Sequence, residues 1–152
     1  MSSASPPRAS FPKHPCRARP LAGAYSADRL TLLSRCRAIV GTVREPFRNG
    51  DGDNSFNLAP DPTYASMLNA TNRAEGGLHI EIVPADQPGC VRGHPAVVAG
   101  FDRPDLGICT GVSVRFPVAG EHVRVVGAYV LDDGNHWFEI HPAWQITRVR
   151  SG

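Results

Sequence analysis

No run of about 18 apolar residues occurs anywhere in the chain, so no segment is expected to cross a membrane as a helix. The four cysteines show no C-x-x-C spacing, which argues against a zinc ribbon. Neither a G-x-S-x-G elbow nor a G-x-x-x-x-G-K phosphate loop is present, so the two commonest signatures of nucleophilic and nucleotide chemistry are missing. Lysine is nearly absent: of 16 basic residues only Lys13 is one. That excess of arginine reads first as a composition bias and second as carboxylate or phosphate recognition. Leucine-rich helical periodicity is scarce, and the N-terminal region holds no apolar stretch of signal-peptide type.

Glycine (15) and proline (14) are plentiful and punctuate short runs of Val, Ile, Thr and aromatic residues, the pattern of a mainly β domain. Charge is unevenly placed. Residues 1–30 carry Arg8, Lys13, Arg17, Arg19 and Arg29 against Asp28, and the rest of the chain is slightly acidic, so the net +2 belongs to the N-terminal region. An acidic domain lacks the basic footprint of a nucleic-acid binder. Residues 1–28, rich in Pro, Ser and Arg, are expected to be a disordered tail, and residues 29–150 the domain. Cys90 and Cys109 flank a loop and form the best disulfide pair, with Cys36–Cys109 as the rival and Cys16 expected to be free. Four reduced thiols are the alternative.

Along the chain, Ser26 either caps a short helical turn or leads directly into a strand. "CRAIVGTVRE" (36–45) reads as a strand, and "RNGDGDNS" (48–55) holds the Asn-Gly and Asp-Gly pairs of a tight hairpin. "SFNLAP" returns as a strand, and 61–72 reads as one short helix with Asp61 as N-cap and Pro62 in its first turn. In "GGLHIEIVPA" Leu78, Ile80 and Ile82 alternate with His79, Glu81 and Val83, a strand with one buried face. Residues 84–107 form a long loop, 108–116 a strand or packed segment, and 120–132 and 136–149 the last two strands around the turn "DDGN". Five strands predict a small five-stranded OB-like barrel with one short helix and the N-terminal tail, its first strand bent at Gly41.

The stretches "CRAIVGTV", "DGDNSFNL", "LHIEIVPA" and "GEHVRVVGAYVLDDGNHWFEIHP" resemble a group of uncharacterised bacterial proteins. In that group a C-x-x-V-x-G-T-V strand, an Asp-Gly-Asp hairpin and a W-x-E-I-H-P ending recur. The resemblance spans roughly residues 29–149 and implies an OB-like fold but no reaction. The chain departs from the pattern at Ala143 and around Asn54–Phe56, where a histidine is common in the group.

The candidate sites follow from these placements. In "HWFEIHP" Pro142 and the aromatic pair favour a strand, which puts Trp137, Glu139 and His141 on one face and His136, Phe138 and Ile140 on the other. Glu139 and His141 are then expected to hydrogen-bond a neighbour, with the hydrophobic face in the core. Asp51 and Asp53 mimic a calcium loop but lack its Gly and its final Glu. In an OB barrel the loops after strands 1 and 4 lie at the ligand face. They would supply Asp51, Asp53, Asp132 and Asp133 for Ca2+ or Mg2+, with Arg44, Arg48, His136, Glu139 and His141 as ligand-binding candidates.

The favoured expectation is a binding or interaction module without a catalytic residue or obligatory cofactor and with an unassigned ligand or protein partner. The alternative is a divalent-metal-dependent phosphoester hydrolase or nucleic-acid binder using the two acidic loops. The compartment is left open, cytoplasmic by default and secreted if the true start carries a signal peptide.

Overall fold

The computed structural model describes residues 15–48, 52–96 and 106–150. Five strands carry the chain: β1 (Leu30–Arg48), β2 (Asn54–Pro60), β3 (Leu78–Ile82), β4 (His122–Asp132) and β5 (Trp137–Arg148). Their order in the sheet is β1-β2-β3-β5-β4, and β4 pairs back onto β1 to close the ring. All pairings are antiparallel except β3–β5, which is parallel. This closed, mainly β arrangement is the small OB-like fold that the strand pattern predicts.

β1 can serve two neighbours because it is 19 residues long. Its second half, from Gly41 on, pairs with β2, and its first half, up to Thr42, pairs with β4. Gly41 sits where β1 and β2 come closest. A Cβ there would strike the Ala59 carbonyl and lie 2.8 Å from the Pro60 Cα. The register shifts of β1 fall elsewhere, at 32/34, 34/37 and 44/47, so Gly41 provides close approach, and the bulges provide the bend.

Inside the ring, Ile39 and Val43 of β1 meet Phe56, Leu58, Leu78, Ile80, Ile82, Val123, Val125 and Ile140. In β5 the inward set changes after Ile140, to Ala143 and Ile146, where the register with β4 shifts. Trp144 then joins Ala128 and Val130 of β4, which alternate with the inward Val125 and Tyr129, in a second cluster with Leu30. Gly127 makes this possible, since a Cβ on it would lie 2.9 Å from the Ala143 Cα.

Two long segments cover the ring from outside. Residues 15–28 belong to the expected disordered tail, yet they are packed on the domain. Cys16, Leu21 and Ala24 lie on the second cluster, and Cys16 is not free but bonded to Cys36. Arg17 binds Asp86 at 2.8 Å, and its guanidinium lies 5.8 Å from the Trp144 ring centre. The connection after β3 is stapled by Cys90–Cys109, the favoured pair, and its Val83, Ala85, Leu106 and Cys109 form a third cluster with Tyr25. The segment 108–116 contributes an isolated bridge from Ile108 to Pro95 and is otherwise irregular.

The single helix expected over 61–72 is two. Pro62–Met67 is a 3-10 turn, the chain extends at Leu68, and α1 (Ala70–Glu75) starts afresh. The restart comes from Asn69 and Asn72, each of whose side chains accepts the other's backbone N–H. Asp61 makes no cap; its carboxylate binds His122 at 2.9 Å.

Asn72 is fully buried and ties α1 to the start of β5. Its Oδ1 accepts the Phe138 N–H at 2.9 Å, and its Nδ2 donates to the Phe138 carbonyl at 2.9 Å and the Gly77 carbonyl at 3.2 Å. Asn72→Ala strands these groups without partners and is expected to cost roughly 2–4 kcal/mol, since each buried orphan costs about 1–3 kcal/mol. Urea denaturation of the disulfide-intact protein checks it; an unchanged midpoint would contradict the assignment.

Candidate functional site

The ring's inner row of Phe56, Ile80 and Ile140 has an outer counterpart. Cross-strand register sets Ser55 beside Glu81, Asn57 beside His79, and His79 beside Glu139. Since alternate residues of a strand point to opposite faces, the outer face of β2, β3 and β5 collects Ser55, Asn57, His79, Glu81, Trp137, Glu139 and His141. Most surface sheets would leave such a row wet. Here Ser55, Glu81, Glu139 and His141 are buried, as is Asp53 where the first hairpin enters β2.

His141 is the centre. It is fully buried, and its Nδ1 lies 3.0 Å from Glu139 Oε2 and 3.0 Å from Glu81 Oε2. Its Nε2 points toward Asp53, whose Oδ2 is 3.9 Å away, beyond hydrogen-bond range. The other oxygens of the two glutamates are engaged as well. Trp137 Nε1–H donates to Glu139 Oε1 at 2.7 Å, and His79 Nε2 meets Glu81 Oε1 at 3.0 Å. Trp137 and His79 stack with ring centres 4.8 Å apart, so the polar row continues from the buried cluster to the surface.

Burial by itself would push the His141 pKa down. Attraction to Glu81 and hydrogen bonds from the ring to Glu139 and Glu81 outweigh it and hold the ring well above its usual value of 6.5. For Glu81, burial would raise the pKa, but the charge and hydrogen bond of His141, with help from His79, hold it well below 4.5. His141 and Glu81 therefore form a buried ion pair, with Glu139 as the ring's second acceptor.

Beside this cluster a pocket of about 260 Å3 is lined by Glu45, Pro46, Phe47, Ser55, Phe56, Asn57, Glu75, His79 and Trp137. Phe47 is 59% exposed, and Glu45, at positive φ, has its carboxylate within 3.3 Å of the Asn57 amide nitrogen. Two ligand sets of metal-binding type occur among the described residues: Asp53, Glu81 and His141, and His79, Glu81 and Glu139.

The residues singled out in the sequence are thus divided. Glu139, His141 and Asp53 meet in the buried cluster. Asp132 and Asp133 do not join it. Asp132 is buried and accepts the N–H groups of Gly134 and Asn135 at 2.8 and 3.2 Å and the Asn135 amide at 2.9 Å, with Arg29 3.5 Å away. Asp133 is exposed and accepts the Thr31 hydroxyl. His136 is exposed at φ 58°, and its carbonyl accepts the Asn69 amide. Arg44 is exposed on β1 opposite Asn57, Arg48 ends β1 opposite Asn54, and Asp51 lies outside the described residues. Glu81, His79 and Trp137 were not among the candidates. Strand alternation set His79 and Glu81 opposite the apolar face, but only the parallel pairing with β5 brings Glu139 and His141 to them.

Comparison with protein-family models, with curated proteins and with solved structures finds no match.

The ion pair has a definite pH signature. His141, raised in the folded state, contributes fully below 6.5, and its contribution is lost as pH rises toward the folded value. Glu81, lowered in the folded state, contributes fully above 4.5 and loses its contribution as pH falls toward the folded value. Both act together between 4.5 and 6.5. In EDTA, His141→Gln is expected to lose roughly 3–5 kcal/mol at about pH 5.5, the cost of breaking a buried pair. The deficit shrinks as pH rises above that window. Chemical denaturation across pH measures it; a deficit that grows toward pH 9 would exclude the pair as drawn.

Proposed function

We propose that the protein is a binding module of OB-like fold whose ligand is cationic and seats in the pocket on the outer face of β2, β3 and β5. The carrying observation is the pocket lining: two carboxylates, Glu45 and Glu75, lie with the rings of Phe47, His79 and Trp137, and among the described residues no Arg or Lys lines it. Aromatic faces attract an ammonium or guanidinium, and carboxylates give a guanidinium a two-pronged acceptor.

This face and its bordering loops are where OB folds take their ligands, often oligonucleotides. Behind the pocket stand Asp53, Glu81 and Glu139, so a phosphate seated in it would face their carboxylates as well as Glu45 and Glu75. Charge therefore favours a positively charged side chain or small amine over nucleic acid or a phosphoester substrate. The pocket's volume suits one side chain or a molecule of similar size. The two disulfides favour an oxidising compartment for the folded chain.

Calorimetric titration with N-acetyl-arginine amide, spermidine and a short oligothymidylate tests the reading. The cationic probes are expected to bind and the oligothymidylate not to. Trp137→Ala should weaken binding about tenfold or more, within the range of a desolvated cation–ring contact. Glu75→Gln, on an exposed residue, should weaken it less. Silence from both cations at millimolar concentration, or binding of the oligothymidylate, would overturn it.

A further inference from the structure

The buried cluster behind the pocket has the donor chemistry of a metal centre. We propose that Asp53, Glu81 and His141 bind one divalent first-row transition ion, with Zn2+ as the reference case, and that Glu139 orients the imidazole. The ligand-bearing atoms of Asp53, Glu81 and His141 lie within 4.8 Å of one another, and all three residues are buried. Bonds of about 2.0–2.2 Å at the tetrahedral angle set ligand atoms roughly 3.4 Å apart, so a contraction of at most about 1.4 Å closes the set.

The independent observation is His141 Nε2. It is buried and has no hydrogen-bond partner among the described residues. A protonated Nε2 would need an acceptor, and a bare one would need a donor; Asp53 Oδ2 at 3.9 Å is too far to be the first and is no donor as a carboxylate. An ion between these two atoms gives Nε2 its partner. The opposite edge of the ring is already arranged for this role. Nδ1 lies 3.0 Å from Glu139 Oε2, and Glu139 is itself fixed by the Trp137 indole; Glu81 Oε2, also 3.0 Å from Nδ1, is the oxygen that turns to the ion. A carboxylate on one imidazole nitrogen that leaves the other for the metal is the usual support of a ligating histidine.

Charge points the same way. Asp53, Glu81 and Glu139 bring three formal negative charges into a buried space holding one imidazole, and buried charge is tolerated when paired or coordinated. The mixed set of imidazole and carboxylate selects the ion. Ca2+ takes six to eight oxygens, whereas imidazole suits Zn2+ and its neighbours. Asp132 and Asp133, with their oxygens held in the β4–β5 turn, have no part in it.

The test uses the full-length, disulfide-intact protein after EDTA treatment and dialysis. Titration with ZnCl2 is expected to show one ion per chain with a dissociation constant of micromolar or below, and CaCl2 at millimolar concentration no heat. Asp53→Asn, which keeps the shape, and His141→Gln should each weaken Zn2+ at least tenfold. Glu139→Gln should weaken it by about 10–100-fold, the range seen when the support of a ligating histidine is removed. If His141→Gln does not fold, Asp53→Asn decides, and X-ray absorption of the wild-type zinc complex decides independently, with one imidazole and oxygen ligands expected. Absence of stoichiometric zinc, sulfur in the coordination shell, or zinc binding that Asp53→Asn leaves unchanged would overturn the site.

Discussion

The parallel pairing of β3 with β5 is the constraint on which both the core and the candidate site depend. Its paired residues are His79 with Glu139 and Ile80 with Ile140. The isoleucines face inward and join Phe56 and Leu58, so the ring closes over a continuous apolar core. One residue along, the same two strands face outward and set an imidazole against a carboxylate. A slip of one residue would exchange the two sets. Ile80 and Ile140 would go to the surface and Glu81 and Glu139 into the core. Burial of the isoleucines thus enforces the meeting of the acids and His141.

That meeting has a cost the fold must cover. A row of carboxylates on a solvated sheet needs no partner, but this row is buried, and buried carboxylates need a counter-charge. His141 supplies one, and it supplies it twice from a single nitrogen, because both glutamates reach Nδ1. Gln87, bridging the Gly52 and Ile82 carbonyls, ties the first hairpin to the end of β3 and so holds Asp53 near the same ring. Opposite the Gly127 bulge the inward set of β5 shifts from Ile140 to Ala143, and Trp144 packs instead against the N-terminal segment.

The ring itself was largely legible from the sequence, because alternation of apolar residues reports directly on which face is buried. β3 shows why: Leu78, Ile80 and Ile82 are all fully buried, as the period demands. The same rule misjudges the other face. Glu81 and Val83 alternate with the core set and read as exposed, yet they are covered. Period two cannot report a second layer when that layer comes from distant segments such as residues 15–28 and the connection after β3. The helical region fails for a local reason. Asp61-Pro62 is a sound start signal, but Asn69 and Asn72 form a stronger one eight residues on, and the helix restarts there.

For the site, the sequence located three residues of the buried cluster and assigned them to different partners. Asp53 was grouped with Asp132 because OB topology brings the two loops to one end of the barrel. Nearness in topology does not make carboxylates available, however. Asp132 spends its oxygens on its own turn, where Gly134 and Asn135 need an acceptor to reverse the chain. Turn chemistry is local and takes precedence, since an unpaired amide in a tight turn is costly wherever the loop lies. Asp53, buried where the chain enters β2, lies on the strand face with its Oδ2 3.9 Å from His141 Nε2. Whether an acid belongs to a site or to a turn is therefore decided by the backbone amides around it, and those can be counted in the sequence once the strand ends are known.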